Sequence, residues 1–147
     1  MGALILPSAG QIYLDANPII YSVEKHPVYW PLLQPMWQAI KGKPVEIVSS
    51  ELVLMETLVG PFKSGDTVLA NDYEQLFQQS QTRLLPITQA ILREAARLRA
   101  TLNLKTPDAL HAATAQLAIV TLFVSNDSEF RKVQGLPVVI LNDLLMP

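Results

Sequence analysis

The sequence predicts a single α/β domain in which a parallel sheet of about five strands forms the middle of three layers, with helices on both faces. Three observations lead there. Short β-prone or wholly apolar runs alternate with helical segments along all 147 residues, the pattern of strand–helix–strand units whose strands end up parallel. Half of the residues are apolar and the mean hydropathy is +0.26, enough for a substantial core at this length. No repeat, linker or low-complexity stretch divides the chain, so residues 1–147 read as one domain.

Residues 11–14 form the first β-prone run, and Asp15 ends it. Asn17 is placed to cap, and Pro18 to open, a helix reaching about residue 24, since proline at a first helical position gives up only an N–H that has no partner there. Within residues 28–41, Trp30, Leu33, Trp37 and Ile40 recur at helical spacing, and Pro31 and Pro35 either start or kink that helix. The two tryptophans read as core rather than as a ligand platform. Residues 42–44 break the chain before a second strand, 45–48, which runs into Ser49 and Ser50, either able to cap the next helix. That helix, 51–59, is closed by Gly60 and Pro61. Residues 66–79 are amphipathic, with Leu69, Tyr73, Leu76 and Phe77 on one side. A third strand, 83–87, leads to Thr88, the cap of a helix to residue 102 with Ile91, Ala95, Leu98 and Leu102 as its stripe. Arg93, Arg97 and Arg99 on it read as a solvated face, with an RNA-facing edge as the lesser alternative. Thr106 caps and Pro107 opens the helix within KTPDALHAATA, 105–115. The apolar run 119–124 has the character of a central parallel strand, and Ser125, Asn126 and Asp127 follow it. A turn or short helix at 130–134, a fifth strand at 138–141 and a terminal turn at 142–145 complete the chain.

Four acids interrupt this pattern. Asp15 and Asp127 follow the first and fourth strands, Asp108 lies one turn before His111 on a nearly apolar helix, and Glu56 sits among Leu52, Val53 and Val59 with no basic residue within a turn. Each has a plain structural reading, Asp15 as a turn residue and Asp108 as a complement to the positive helix end. Four such placements together point instead to one cluster, because ligands of parallel sheets sit beyond the carboxyl ends of the strands where the connection reverses. Crowded carboxylates repel and desolvation adds to the cost, so the cluster calls for a divalent cation. Hard oxygens without cysteine or a histidine pair select Mg²⁺ or Mn²⁺ over zinc. On carboxylates such an ion suits phosphoryl chemistry.

Composition excludes much else. The absence of cysteine removes disulfides, zinc ribbons, iron–sulfur clusters and thiol nucleophiles. With Lys plus Arg at 11 and Asp plus Glu at 13, bulk charge would not hold nucleic acid, and such a partner would need a metal to help. No apolar run reaches the roughly 20 residues of a membrane helix, and residues 1–7 lack the basic start of a signal peptide, so the expected location is the cytoplasm without membrane association. GxxxxGK[ST], HExxH, GxSxG and GxGxxG are all missing.

YLDAN at 13–17, the glutamate of LVLMETL, TPDALHAATA at 106–115 and VSNDSEF at 124–130 together resemble the PIN-domain nucleases, closest to the VapC-type toxins of bacterial toxin–antitoxin pairs. The resemblance covers nearly the whole chain and lies in the spacing of the acids. It implies a sheet ordered 3-2-1-4-5 and an endoribonuclease dependent on Mg²⁺ or Mn²⁺. Asp15, Glu56, Asp108 and Asp127 would be its catalytic and metal-holding acids. Asn17 and Ser125, the latter standing where many members have threonine, would orient carboxylates or phosphate. The implied partners are an RNA substrate, a cognate antitoxin whose helix would meet residues 28–41 and 66–79, and a second copy in a homodimer. His111 reads as structural, hydrogen-bonded near Asp108.

Two other classes fail at single positions. A haloacid-dehalogenase-like phosphatase needs a second Asp where Asn17 stands, and a receiver domain needs an Asp at the end of the middle strand, where Ser49 and Ser50 stand. The alternative that survives is a PIN fold that binds RNA or protein without cutting.

Overall fold

The computed structural model describes residues 2–145. Strand β1 (Gly10–Leu14) is followed by helices α1 (Ala16–Val23) and α2 (Trp30–Ala39), β2 (Val45–Ser50), α3 (Leu52–Ser64), α4 (Thr67–Phe77) and β3 (Thr82–Leu85). Helices α5 (Gln89–Leu102) and α6 (Thr106–Ala118) come next, then β4 (Leu122–Ser125), a 3-10 turn (Ser128–Lys132), β5 (Val138–Ile140) and a second 3-10 turn (Leu141–Leu145). All five strands are parallel in the order β3-β2-β1-β4-β5. The order expected from the resemblance is the order observed. Its direction reverses between β1 and β4.

Alternation along the strands builds the three layers. Ile12 and Leu14 of β1, Val45 and Ile47 of β2 and Leu122 and Val124 of β4 pack with Ile19, Leu33, Met36 and Val53 from α1, α2 and α3. Their neighbours Tyr13, Val48 and Phe123 face the other way, onto Ile91, Ala95 and Leu98 of α5 and the alanines of α6. Strand side chains alternate between faces, so buried central strands are apolar on both sides. The small Ala109, Ala112, Ala113 and Ala115 are all fully buried, which lets α6 lie close on the sheet. Gly10 opens β1 at φ 105°, where a Cβ would run into the hydroxyl of Thr121, so the start of the strand tolerates no side chain.

Four details depart from the sequence reading. Helix α3 passes through Gly60 and Pro61 and stops at Gly65, a left-handed cap at φ 71° whose N–H reaches Pro61 O. One proline removes one helical hydrogen bond, and here its buried ring helps to hold the helix on the core. Ile119 and Val120 are not strand: Ile119 is a left-handed cap of α6, 85% exposed. The chain needs that conformation to turn from α6 into β4, although a β-branched residue adopts it at a cost. Helix α1 begins at Ala16 with Asp15, not Asn17, as N-cap. Helix α6 begins at Thr106 with Lys105 as N-cap. The cap expected at Thr88 is present, its side chain accepting from Ile91 N–H, and Asp66 caps α4 in the same way, accepting from Leu69 N–H.

Candidate active site

The end of β1 carries Asp15 into the reversal point of the sheet. An aspartate at an N-cap ordinarily accepts an N–H of the first helical turn, yet this side chain makes no cap bond. It turns to β4 instead. Oδ2 accepts the hydroxyl of Ser125 at 2.8 Å, and Oδ1 is buried with no hydrogen-bond partner among the described residues. Buried polar atoms are nearly always paired, so this oxygen has an unmet demand. Burial pushes the Asp15 carboxyl up to about 7, and Glu56 and Asp108 push the same way against His111 and Ser125.

Ser125 joins two of the acids. Its hydroxyl donates to Asp15 and accepts the Asp127 N–H at 3.0 Å, and the residue is fully buried. Asp127 Oδ1 then accepts from Glu129 N–H at 2.9 Å, starting the 3-10 turn. Asp108, in the first turn of α6, is half-buried; burial raises its pKa first and the charge of Asp127 second. Asp15 is thus within electrostatic reach of Glu56 and Asp108, and Asp108 of Glu56 and Asp127.

Glu56 departs from the sequence reading. Its Oε1 lies 2.7 Å from Nε2 of His111 on α6, so Glu56 does have a partner, supplied by the opposite helical layer. His111 in turn bonds Glu56 and Tyr13, not Asp108. Tyr13 went unremarked in the sequence as a site residue. Its signal was a phenol in the middle of an apolar strand, which needs a partner for its O–H when buried, but nothing local named that partner. Asn17 sits on the exposed first turn of α1 and makes no side-chain hydrogen bond with the acids among the described residues. Among the described residues no three His, Asp or Glu side chains stand close enough to hold a metal ion by themselves.

Strand–helix alternation closed into a sheet ordered 3-2-1-4-5, with acids gathered over its reversal, defines an α/β class whose site lies at the carboxyl edge of the strands. Residues 12–136 match the PIN domain family model. The chain belongs to the PIN-domain family. Its fold is similar to that of VapBC2 from Rickettsia felis bound to a DNA fragment from its promoter, at 21% identity and a TM-score of 0.69, over 88% of this chain and 98% of that one. A toxin–antitoxin complex from Klebsiella pneumoniae is 25% identical with a TM-score of 0.62, over 88% and 97%. VapBC-1 from nontypeable Haemophilus influenzae is 18% identical with a TM-score of 0.70, over 90% and 98%. No curated protein matches the sequence.

Proposed function

We propose that the chain is an endoribonuclease dependent on Mg²⁺ or Mn²⁺ and acts as the toxin of a VapBC-type toxin–antitoxin pair. The observation that carries this reading is the unpartnered, buried Oδ1 of Asp15, set among three further acids at the reversal of a PIN-domain sheet. The donor set fits a hard cation. That fewer than three protein ligands stand together is compatible with Mg²⁺, which commonly takes one or two carboxylates and keeps several waters. When bound, the ion would polarise the phosphate, lower the pKa of water and stabilise the leaving oxygen.

In this reading Asp15 and Asp108 would hold the cation, with Glu56 and Asp127 completing the shell or orienting the attacking water. Ser125 fixes Asp15 Oδ2 and leaves Oδ1 free to bind. Asn17, on the exposed first turn of α1, would meet the phosphate rather than the acids. An antitoxin partner is supported by the complexes from R. felis and H. influenzae, which are of VapBC type. A groove of about 520 Å³ between α2 and α4, lined by Trp30, Trp37, Ile40 and Leu76 among Lys25, Lys41 and Asp72, suits an amphipathic helix. The exposed Met55, Val59 and Phe62 along α3 offer apolar surface that a homodimer would cover.

A fluorogenic RNA substrate tests the activity. Cleavage with Mg²⁺ or Mn²⁺ that stops in chelator and in Asp15→Asn is the expected result. Full cleavage in chelator, or by Asp15→Asn, refutes it; RNA binding without cleavage under any metal makes the chain a non-cutting PIN module.

A further inference from the structure

Tyr13 stands in the middle of β1 and faces α6, while Ile12 and Leu14 face the other layer. Its ring is wholly buried and stacked on Phe123, the centroids 4.9 Å apart and the planes 5° from parallel. An enclosed phenol has to place its proton. The partner is Nδ1 of His111 at 2.6 Å, and Nε2 of the same ring meets Glu56 Oε1 at 2.7 Å. The imidazole is 2% exposed. An ionised carboxylate only accepts, so with a neutral ring the arrangement that satisfies both contacts has Nε2–H donating to Glu56 and Nδ1 accepting from the Tyr13 hydroxyl. Each donor meets one acceptor, and the chain of bonds runs in one direction, from the core to the acidic site.

The geometry points to Tyr13 and His111 as positioning residues of the acidic site: a buried phenol–imidazole relay that grips one oxygen of Glu56 and leaves Oε2 without a hydrogen-bond partner among the described residues. What Glu56 is positioned for rests on the nuclease reading above. A glutamate has three rotatable side-chain bonds, and a grip built into the core orders them at folding instead of at ligand binding. The relay also joins α3 to α6 across the sheet edge, so the two helical layers share one carboxylate. Groups of this kind behind metal-ligating carboxylates commonly change metal affinity 10- to 100-fold when removed.

The test uses the full chain, ¹⁵N-labelled and in chelator, with His26→Asn assigning the only other imidazole. His111 is expected in a single Nε2–H tautomer, and Tyr13→Phe, which keeps the stacked ring, should spread it over both. Thermal melts in chelator check that the variant is folded. In Mn²⁺ titrations, Tyr13→Phe should raise Kd about tenfold or more. Added to Glu56→Gln, the same change should alter Kd less than about twofold, because the relay acts only through that carboxylate. His111→Gln, whose amide can still donate to Glu56, should keep more Mn²⁺ affinity than His111→Ala. An Nδ1–H tautomer in the wild type overturns the relay, as does a Tyr13→Phe effect on Kd that is undiminished with Glu56→Gln. A wild type that shows the expected tautomer and its dispersal in Tyr13→Phe, yet binds no Mn²⁺, upholds the grip on Glu56 and removes the metal-dependent reading instead.

Discussion

Asp15→Asn should stabilise the metal-free protein above neutral pH, and lose that advantage as the pH falls. Burial holds the Asp15 carboxyl at about 7 when folded, against 3.8 in an exposed chain. The folded state therefore binds this proton more tightly than the unfolded state, and the sign follows: stability is fully present below 3.8 and is lost as pH rises through about 7. The separation of the two values corresponds to about 4 kcal/mol at complete ionisation. Asparagine removes that cost. Its carbonyl can still accept from Ser125, but its amide would occupy the unpartnered position of Oδ1, which returns about 1–3 kcal/mol. The net gain at pH 8 is thus about 1–3 kcal/mol, shrinking by about 2–3 kcal/mol at pH 5, where the wild-type carboxyl is protonated in the fold. Urea melts of both proteins in chelator at pH 8 and pH 5 measure the difference, and the titrations of groups distant from Asp15 cancel in the comparison. A wild type more stable than the variant at pH 8, or a difference that ignores pH, would refute the argument.

Asp108→Asn should leave melting in chelator unchanged or higher, because burial and Asp127 already oppose its ionisation; with Mg²⁺ it should gain far less than wild type and cleave no RNA. Equal destabilisation of roughly 0.3–1 kcal/mol with and without metal, and intact cleavage, would return Asp108 to a role at the helix terminus alone. Ser125→Ala removes a donor to Asp15 and an acceptor for the Asp127 N–H, so it should cost about 1–3 kcal/mol and move the Asp15 titration upward. Carboxyl ¹³C shifts followed against pH measure that midpoint, and a fall would contradict the assignment.

The sequence was informative where the cause was local. Strands that run straight into acids, Thr88 as a cap, and the apolar stripe of Ile91, Ala95 and Leu98 all follow from spacing within a turn or two, and each appears as expected. Pro61 and Ile119 misled because tertiary demands overruled propensity: a buried proline inside α3, and a left-handed turn that the entry to β4 imposes on a β-branched residue. Glu56 misled for a third reason. A search for a basic partner within one helical turn finds none, yet the partner stands 55 positions away on the opposite helical layer. Glu56 has its hydrogen bond from the protein, so it no longer requires a cation to explain its place on α3. Asp15 does not have that relief. One oxygen is held by Ser125, the other is buried and unpaired, and burial dominates its raised pKa. Of the four acids, it is therefore Asp15 whose chemistry asks for a ligand, and Asp15→Asn is the substitution that should separate electrostatic cost from catalytic use.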